Sequence, residues 1–187
     1  IASLQEANIA LLTTSQIVGM RQSQFSSLTL QQVAALTDTQ VAVIETTDIQ
    51  GLSASQFSML GTTQFQALDT AQTAALTASQ VAGLSAEHIG VMSSEQLRSL
   101  TLSNITALRA SQMGSFSDTL FGTLRTEQLA ALNPTAIGAL NSAQTVILST
   151  TQVGALTQSQ VASLSNDNIA VLLTEQIQAL TTQNIAA

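Results

Sequence analysis

The sequence predicts an all-α solenoid with one short, capped helix for every eight residues. Three observations predict it: an eight-residue phrase repeated without insertion or deletion from Gln5 onward, a helix-start signature at the front of each phrase, and an apolar pair at its back. Four leading residues, 22 full octads and seven trailing residues account for all 187. A fixed short period calls for a stacked, quasi-one-dimensional architecture that draws its stability from contacts between neighbouring repeats.

Each octad is numbered so that Gln5, Thr13, Arg21 and Thr29 occupy position 1. Position 1 is Ser, Thr, Asp or Asn in 16 of 23 octads and position 4 is Gln in 15 of 23, which together form the capping-box pattern. The hydroxyl accepts from the N–H three residues on, and the Gln side chain returns to the N–H of the cap. Asn133-Pro134 agrees, because it puts a good N-cap at position 1 and Pro at the first helical position, where a missing N–H costs nothing.

Position 5 is apolar in 21 of 23 octads, the exceptions being Thr73 and Thr145, and position 8 is Leu in 18 of 22. These positions lie three apart and share a helix face. The mostly small residues at position 7 leave room for a neighbouring backbone. Thr73 and Thr145 are expected weak points unless their hydroxyls find backbone acceptors.

Two rivals fare worse. In one continuous helix the Leu stripe would drift by about 80° per octad and no partner could bury it. In a β-solenoid, positions 5 and 8 would point to opposite sides of the strand, and Ala, Gln and Leu favour helix; this remains the alternative fold. Seven of the eight departures from Gln at position 4 fall in odd-numbered octads (Asn8, His88, Asn104, Leu120, Ala136, Asn168 and Asn184, with Asp48 the exception). That alternation predicts two helices per 16-residue turn. The whole chain, 1–187, reads as one continuous array cut from a longer one.

Composition excludes several function classes. Charged residues are 8% of the chain, its net charge is −7, and Arg21, Arg98, Arg109 and Arg125 are its only strong cations. Nucleic-acid binding needs basic side chains to displace counterions, so it is not expected. No window holds eighteen consecutive apolar residues, so no membrane insertion is expected. Without Cys there is neither disulfide framework nor thiolate chemistry.

No catalytic, cofactor-binding or metal site is expected, and no cofactor. His88, the one His, replaces Gln at position 4 in Ser85-Ala86-Glu87-His88 and reads as a surface substitution without a catalytic supporting shell. Most of the 11 carboxylates occupy positions 1 to 3, where negative charge complements the start of a helix. Glu45 and Asp48 could share a cation, but calcium wants six to eight oxygens. Arg109 and Arg125 lie 16 apart and would stack in one column under a two-helix turn. The residues Phe25, Phe57, Phe65, Phe116 and Phe121 all sit at positions 5 or 8 and read as core.

The phrase T-x-x-Q-V-x-A-L, as in Thr29–Leu36 and Thr77–Leu84, resembles octad arrays in very large bacterial secreted or surface proteins of the adhesin-like, haem-utilisation-and-adhesion kind. The resemblance covers the whole chain and implies an extracellular or cell-surface, spacer-like role; no haem ligand set accompanies it. The expected function is therefore a non-catalytic structural rod, a segment of an extracellular filament or adhesin stalk. The alternative is a solenoid binding module that docks a partner along one face, with Asn8, His88 and Asn104 on its variable surface. Low charge and abundant Gln favour self-association, end to end or laterally.

Overall fold

A computed structural model describes residues 4–185, and among these every octad holds one short α-helix and no strand occurs. The helices fall into two compact units, residues 1–100 and 101–187. The first contains α1 (Glu6–Ile9), α2 (Thr14–Val18), α3 (Gln22–Ser26), α4 (Leu30–Ala34), α5 (Asp38–Val41), α6 (Thr46–Ile49), α7 (Ala54–Phe57), α8 (Thr62–Gln66), α9 (Thr70–Ala75), α10 (Ala78–Ala82), α11 (Ala86–Gly90) and α12 (Ser94–Ser99). The second contains α13 (Leu102–Thr106), α14 (Ala110–Met113), α15 (Asp118–Gly122), α16 (Thr126–Ala131), α17 (Pro134–Gly138), α18 (Ser142–Val146), α19 (Thr150–Gly154), α20 (Gln158–Ser163), α21 (Asn166–Ala170), α22 (Thr174–Ala179) and α23 (Thr182–Ile185).

Position 1 is the N-cap. Thr13 is extended (φ −71°, ψ 157°), its Oγ1 accepts from the Gln16 N–H at 3.2 Å, and Gln16 Oε1 accepts from the Thr13 N–H at 2.8 Å. Where position 1 cannot accept, as at Arg21 and Leu173, only the half made by Gln remains: Arg21 N–H to Gln24 Oε1 at 2.9 Å and Leu173 N–H to Gln176 Oε1 at 2.8 Å. At α17 the expected cap forms, with Asn133 Oδ1 accepting from the Ala136 N–H at 2.9 Å and Pro134 in the first turn.

Each helix ends by tightening. The position 8 N–H donates to the position 5 carbonyl three residues back, as in Met20 to Ile17 (3.0 Å) and Leu36 to Val33 (3.2 Å). Position 8 is then extended (Leu76 φ −56°, ψ 143°; Leu132 φ −59°, ψ 139°) and leads straight into the next cap. No described residue has positive φ.

Within each unit every helix stacks on the third helix after it: α1 on α4, α2 on α5 and α3 on α6 in the first unit, α13 on α16, α14 on α17 and α15 on α18 in the second. One coil is therefore three helices and 24 residues, not the two helices and 16 residues expected from the odd–even alternation. The link explains the correction. A two-helix coil needs a near-complete reversal after each helix, commonly made by a left-handed cap residue. A link of two extended residues with negative φ turns the chain by less, and three links close the coil. The odd–even alternation has no counterpart in this geometry.

Three positions divide the burial. Position 5 faces the following coil: from Ile9 to Val153 its side chains are 0–1% exposed, whereas Ile169, Ile177 and Ile185, on which no described helix stacks, are 49–57% exposed. Position 4 faces the preceding coil, so Asn8 and Gln16 are exposed while Gln32 and Gln40 are buried. Position 8 points to the coil axis. Each such aliphatic side chain contributes about 1.5–3 kcal/mol when buried. The expected weak points are repaired, because Thr73 Oγ1 donates to Asp69 O (2.7 Å) and Thr145 Oγ1 to Asn141 O (3.0 Å). The small residue at position 7 does admit a neighbouring backbone at Gly51, where an added Cβ would lie 2.4 Å from the Gln22 carbonyl oxygen; the approach at Gly138, 2.6 Å from that of Ser163, falls instead at position 6.

Candidate functional site

The feature that recurs in this fold is the joint between coils, and the position 4 side chain makes it. Gln80 Oε1 accepts from the Thr77 N–H at 2.8 Å, closing the capping box, while its Nε2 donates to the carbonyls of Ile49 and Leu52, each at 2.8 Å. Those carbonyls are the position 5 and position 8 groups 31 and 28 residues earlier. The position 8 carbonyl lies in the extended link and has no partner within its own helix, so the amide supplies the donor it lacks. Gln40 repeats the clamp on Ile9 and Leu12, Gln72 on Val41 and Ile44, Gln144 on Met113 and Phe116, and Gln160 on Leu129 and Leu132.

His88 and Asn104 are not surface residues, as the sequence reading held, but are 2% exposed each. His88 reproduces the glutamine. Its Nε2 lies 2.7 Å from Leu60 O, and its Nδ1 lies 3.3 Å from the Ser85 nitrogen. Since a carbonyl can only accept, the proton sits on Nε2 and Nδ1 receives the cap N–H. Ser85 Oγ is 3.2 Å from the same Nδ1, yet both imidazole nitrogens are already engaged in the joint and the ring packs on Phe65 (centroids 5.1 Å apart). Asn168 is shorter and reaches only the position 8 carbonyl, Leu140 O, at 2.9 Å. Ala136 has no donor, and Asn133 at position 1 of the same octad takes over, its Nδ2 donating to Leu108 O at 2.7 Å.

Asp48 breaks the rule. It is buried at position 4, but its side chain lacks the N–H donors with which a glutamine would reach the Ile17 and Met20 carbonyls, and α6 lacks a capping box. Glu45 caps the same helix without a side-chain bond. Among the described residues no three His, Cys, Asp or Glu side chains gather as a metal-binding group.

The remaining charges lie outside. Arg109 and Arg125 do not share a column: α14 stacks with α17, whereas α16 stacks with α13 and α19. Arg125 pairs with Glu127 across 2.8 Å. Hydrogen bonds from the Ser85 hydroxyl and from its own N–H hold Glu87 below the usual carboxylate range; its own N–H, then Ser93 and Ser94, do so for Glu95. All five Phe residues are buried, as expected, with Phe57 edge-on to Phe65 and Phe116 edge-on to Phe121. No described helix is long and apolar enough to cross a membrane.

These features define the class: a helical octad solenoid whose coils are joined by buried side-chain amides. Two segments, residues 41–78 and 121–158, match the family model described as ALTTAQ repeat, so the chain carries a recognised repeat. Both matches open at position 5, on Val41 and Phe121, ten octads apart. No curated protein matches the chain.

Proposed function

We propose that this array is a non-catalytic structural element, a segment of an extended rod or filament at the cell surface. One observation carries the reading: the polar groups with donor capacity at position 4 are spent joining one coil to the next, at Gln40, Gln80, Gln144 and Gln160 alike. The first coil leaves Gln16 and Gln24 with capping bonds alone, and the last leaves Ile169, Ile177 and Ile185 uncovered. A further coil, from the same chain or from a second copy, completes either joint. The cell-surface setting rests on the resemblance to bacterial octad arrays.

Electron microscopy of the parent protein, purified and on intact cells, tests the proposal. Uniform fibres growing end on end, or rods of fixed length rooted in the surface, support it. Compact particles that turn over a substrate, with turnover lost in His88→Gln, overturn it.

A further inference from the structure

The joint at α6 leaves oxygen facing oxygen. One helix before it, Gln40 sets its Nε2 2.9 Å from Ile9 O and 2.7 Å from Leu12 O; one helix after it, Gln56 Nε2 lies 3.3 Å from Phe25 O and 2.6 Å from Leu28 O. The carbonyls of Ile17 and Met20 are set by the same link. In all three octads the position 8 N–H donates to the position 5 carbonyl, at 3.1 Å for Leu12, 3.0 Å for Met20 and 3.2 Å for Leu28. The Ile17 and Met20 carbonyls therefore converge, as their neighbours do, on a point where a donor belongs. Asp48 stands at position 4 there and brings no N–H.

Asp48 is only 8% exposed, and among the described residues its side chain has neither a hydrogen bond nor an ion pair, although Arg21 follows Met20 in the chain. A buried carboxyl without a partner is costly. Its length is that of Asn168, whose Nδ2 lies 2.9 Å from Leu140 O at the equivalent place, so its oxygens stand against the Met20 carbonyl. It cannot draw back, because α6 stacks tightly on α3, with Gly51 against the Gln22 carbonyl. Glu45, three residues earlier, is exposed and makes no cap bond. Side-chain oxygens at positions 1 and 4 do meet in this fold: Thr101 Oγ1 donates to Asn104 Oδ1 at 2.7 Å, and Thr181 Oγ1 to Asn184 Oδ1 at 2.6 Å. The longer Glu45 can therefore turn in beside Asp48.

We infer that this joint binds a calcium ion between Asp48, Glu45 and the carbonyls of Ile17 and Met20. The two carboxyls hold four oxygens and the carbonyls two, and water completes the six to eight that calcium takes from such a mixture. In sequence Glu45 and Asp48 alone fall short of that number; the three-helix register adds the carbonyls, from 28 and 31 residues earlier. The ion does what the glutamine amide does elsewhere, giving both carbonyls a positive partner and tying α6 to the coil before it. Carbonyls spaced for a nitrogen donor suit magnesium poorly, since it demands short octahedral bonds and gives up water reluctantly. With two carboxyls, one of them exposed, the affinity falls in the weak range, a Kd of about 1 mM.

Titrating the full chain with calcium chloride at constant ionic strength tests the inference, followed by calorimetry and by backbone amide NMR. Saturable binding is expected, with amide shifts confined to residues 17–21 and 45–49. At ten times the Kd, calcium should lower the unfolding equilibrium constant of the first unit about tenfold. Asp48→Asn should fold, as Asn168 does at the same position, and lose the calcium response; Glu45→Gln should weaken it several-fold. Asp38→Asn, at an exposed carboxyl on α5, should leave it unchanged. Circular dichroism confirms the folding of each variant. No saturation by about 20 mM, shifts spread over all the carboxylates, an equal response to magnesium or sodium, or binding that survives Asp48→Asn overturns the inference.

Discussion

Replacing Gln80 by Ala isolates what the joint contributes. The side chain is fully buried and makes three hydrogen bonds of 2.8 Å, one to its own cap and two to the coil before it. Truncation orphans the Thr77 N–H and the Leu52 carbonyl and deprives the Ile49 carbonyl of its second partner. Each buried group left unsatisfied costs about 1–3 kcal/mol, so the two orphaned groups should cost about 2–6 kcal/mol together, a large share of a domain's net stability. Gln16→Ala is the internal control, because Gln16 makes the same bond to its cap but none to another coil. It should cost about 1 kcal/mol or less. The chain has no Trp or Tyr, so urea unfolding is followed by circular dichroism at the helix band. Since a repeat array need not unfold in one step, hydrogen exchange near the α7–α10 joint provides a local reading. Gln80→His should recover much of the loss, as His88 supplies the same two functions one helix later. Equal destabilisation by Gln80→Ala and Gln16→Ala would refute the claim that the amide clamps the coils.

Asp48→Gln should stabilise the first unit by about 1–3 kcal/mol, seen as a higher urea midpoint, by giving the Ile17 and Met20 carbonyls a donor. Gly138→Ala should destabilise by about 1–3 kcal/mol, since the new Cβ meets the Ser163 carbonyl oxygen at 2.6 Å. Gly90→Ala meets nothing within 4 Å and should instead stabilise by about 0.5–1 kcal/mol, the opposite sign from the same substitution. Glu87 and Glu95 titrate below their unfolded value, so the stability they contribute is present above that value and is lost as pH falls through their folded ones. The melting temperature should therefore drop slightly below about pH 4.3, and less so in Glu87→Gln with Glu95→Gln.

Much of this architecture is legible in the octad itself. Thr13 and Gln16 announce a helix start, Ile17 and Met20 name its buried face, and the unbroken phase from Gln5 promises stacking. The number of helices per coil is not legible, because the link at positions 8 and 1 decides it through backbone angles that many residues share. The clamp left a signal that capping alone does not explain. A capping box accepts Glu as readily as Gln, yet no octad has Glu at position 4. Asn and His, which replace Gln there, both keep an N–H. Reading His88 as a surface substitution followed from treating position 4 as a cap and nothing more. The rescue of Ala136 by Asn133 lay beyond any single-position reading, since it needs the three-helix register that brings Leu108 within reach.

The direction of the joints has a mechanical consequence. The amide donors at Gln40, Gln80 and Gln160 bond across coils, so the bonds lie along the line of pull when a coil is drawn from its neighbour. Three helices per coil share that load, and one coil releases as a unit while those behind it hold. Each release frees 24 residues, on the order of 80 Å of extended chain, from a layer only about 9 Å deep. Stretched, such an array yields by lengthening in steps before it breaks, and it recoils when slack returns because each coil left standing is a template for the next.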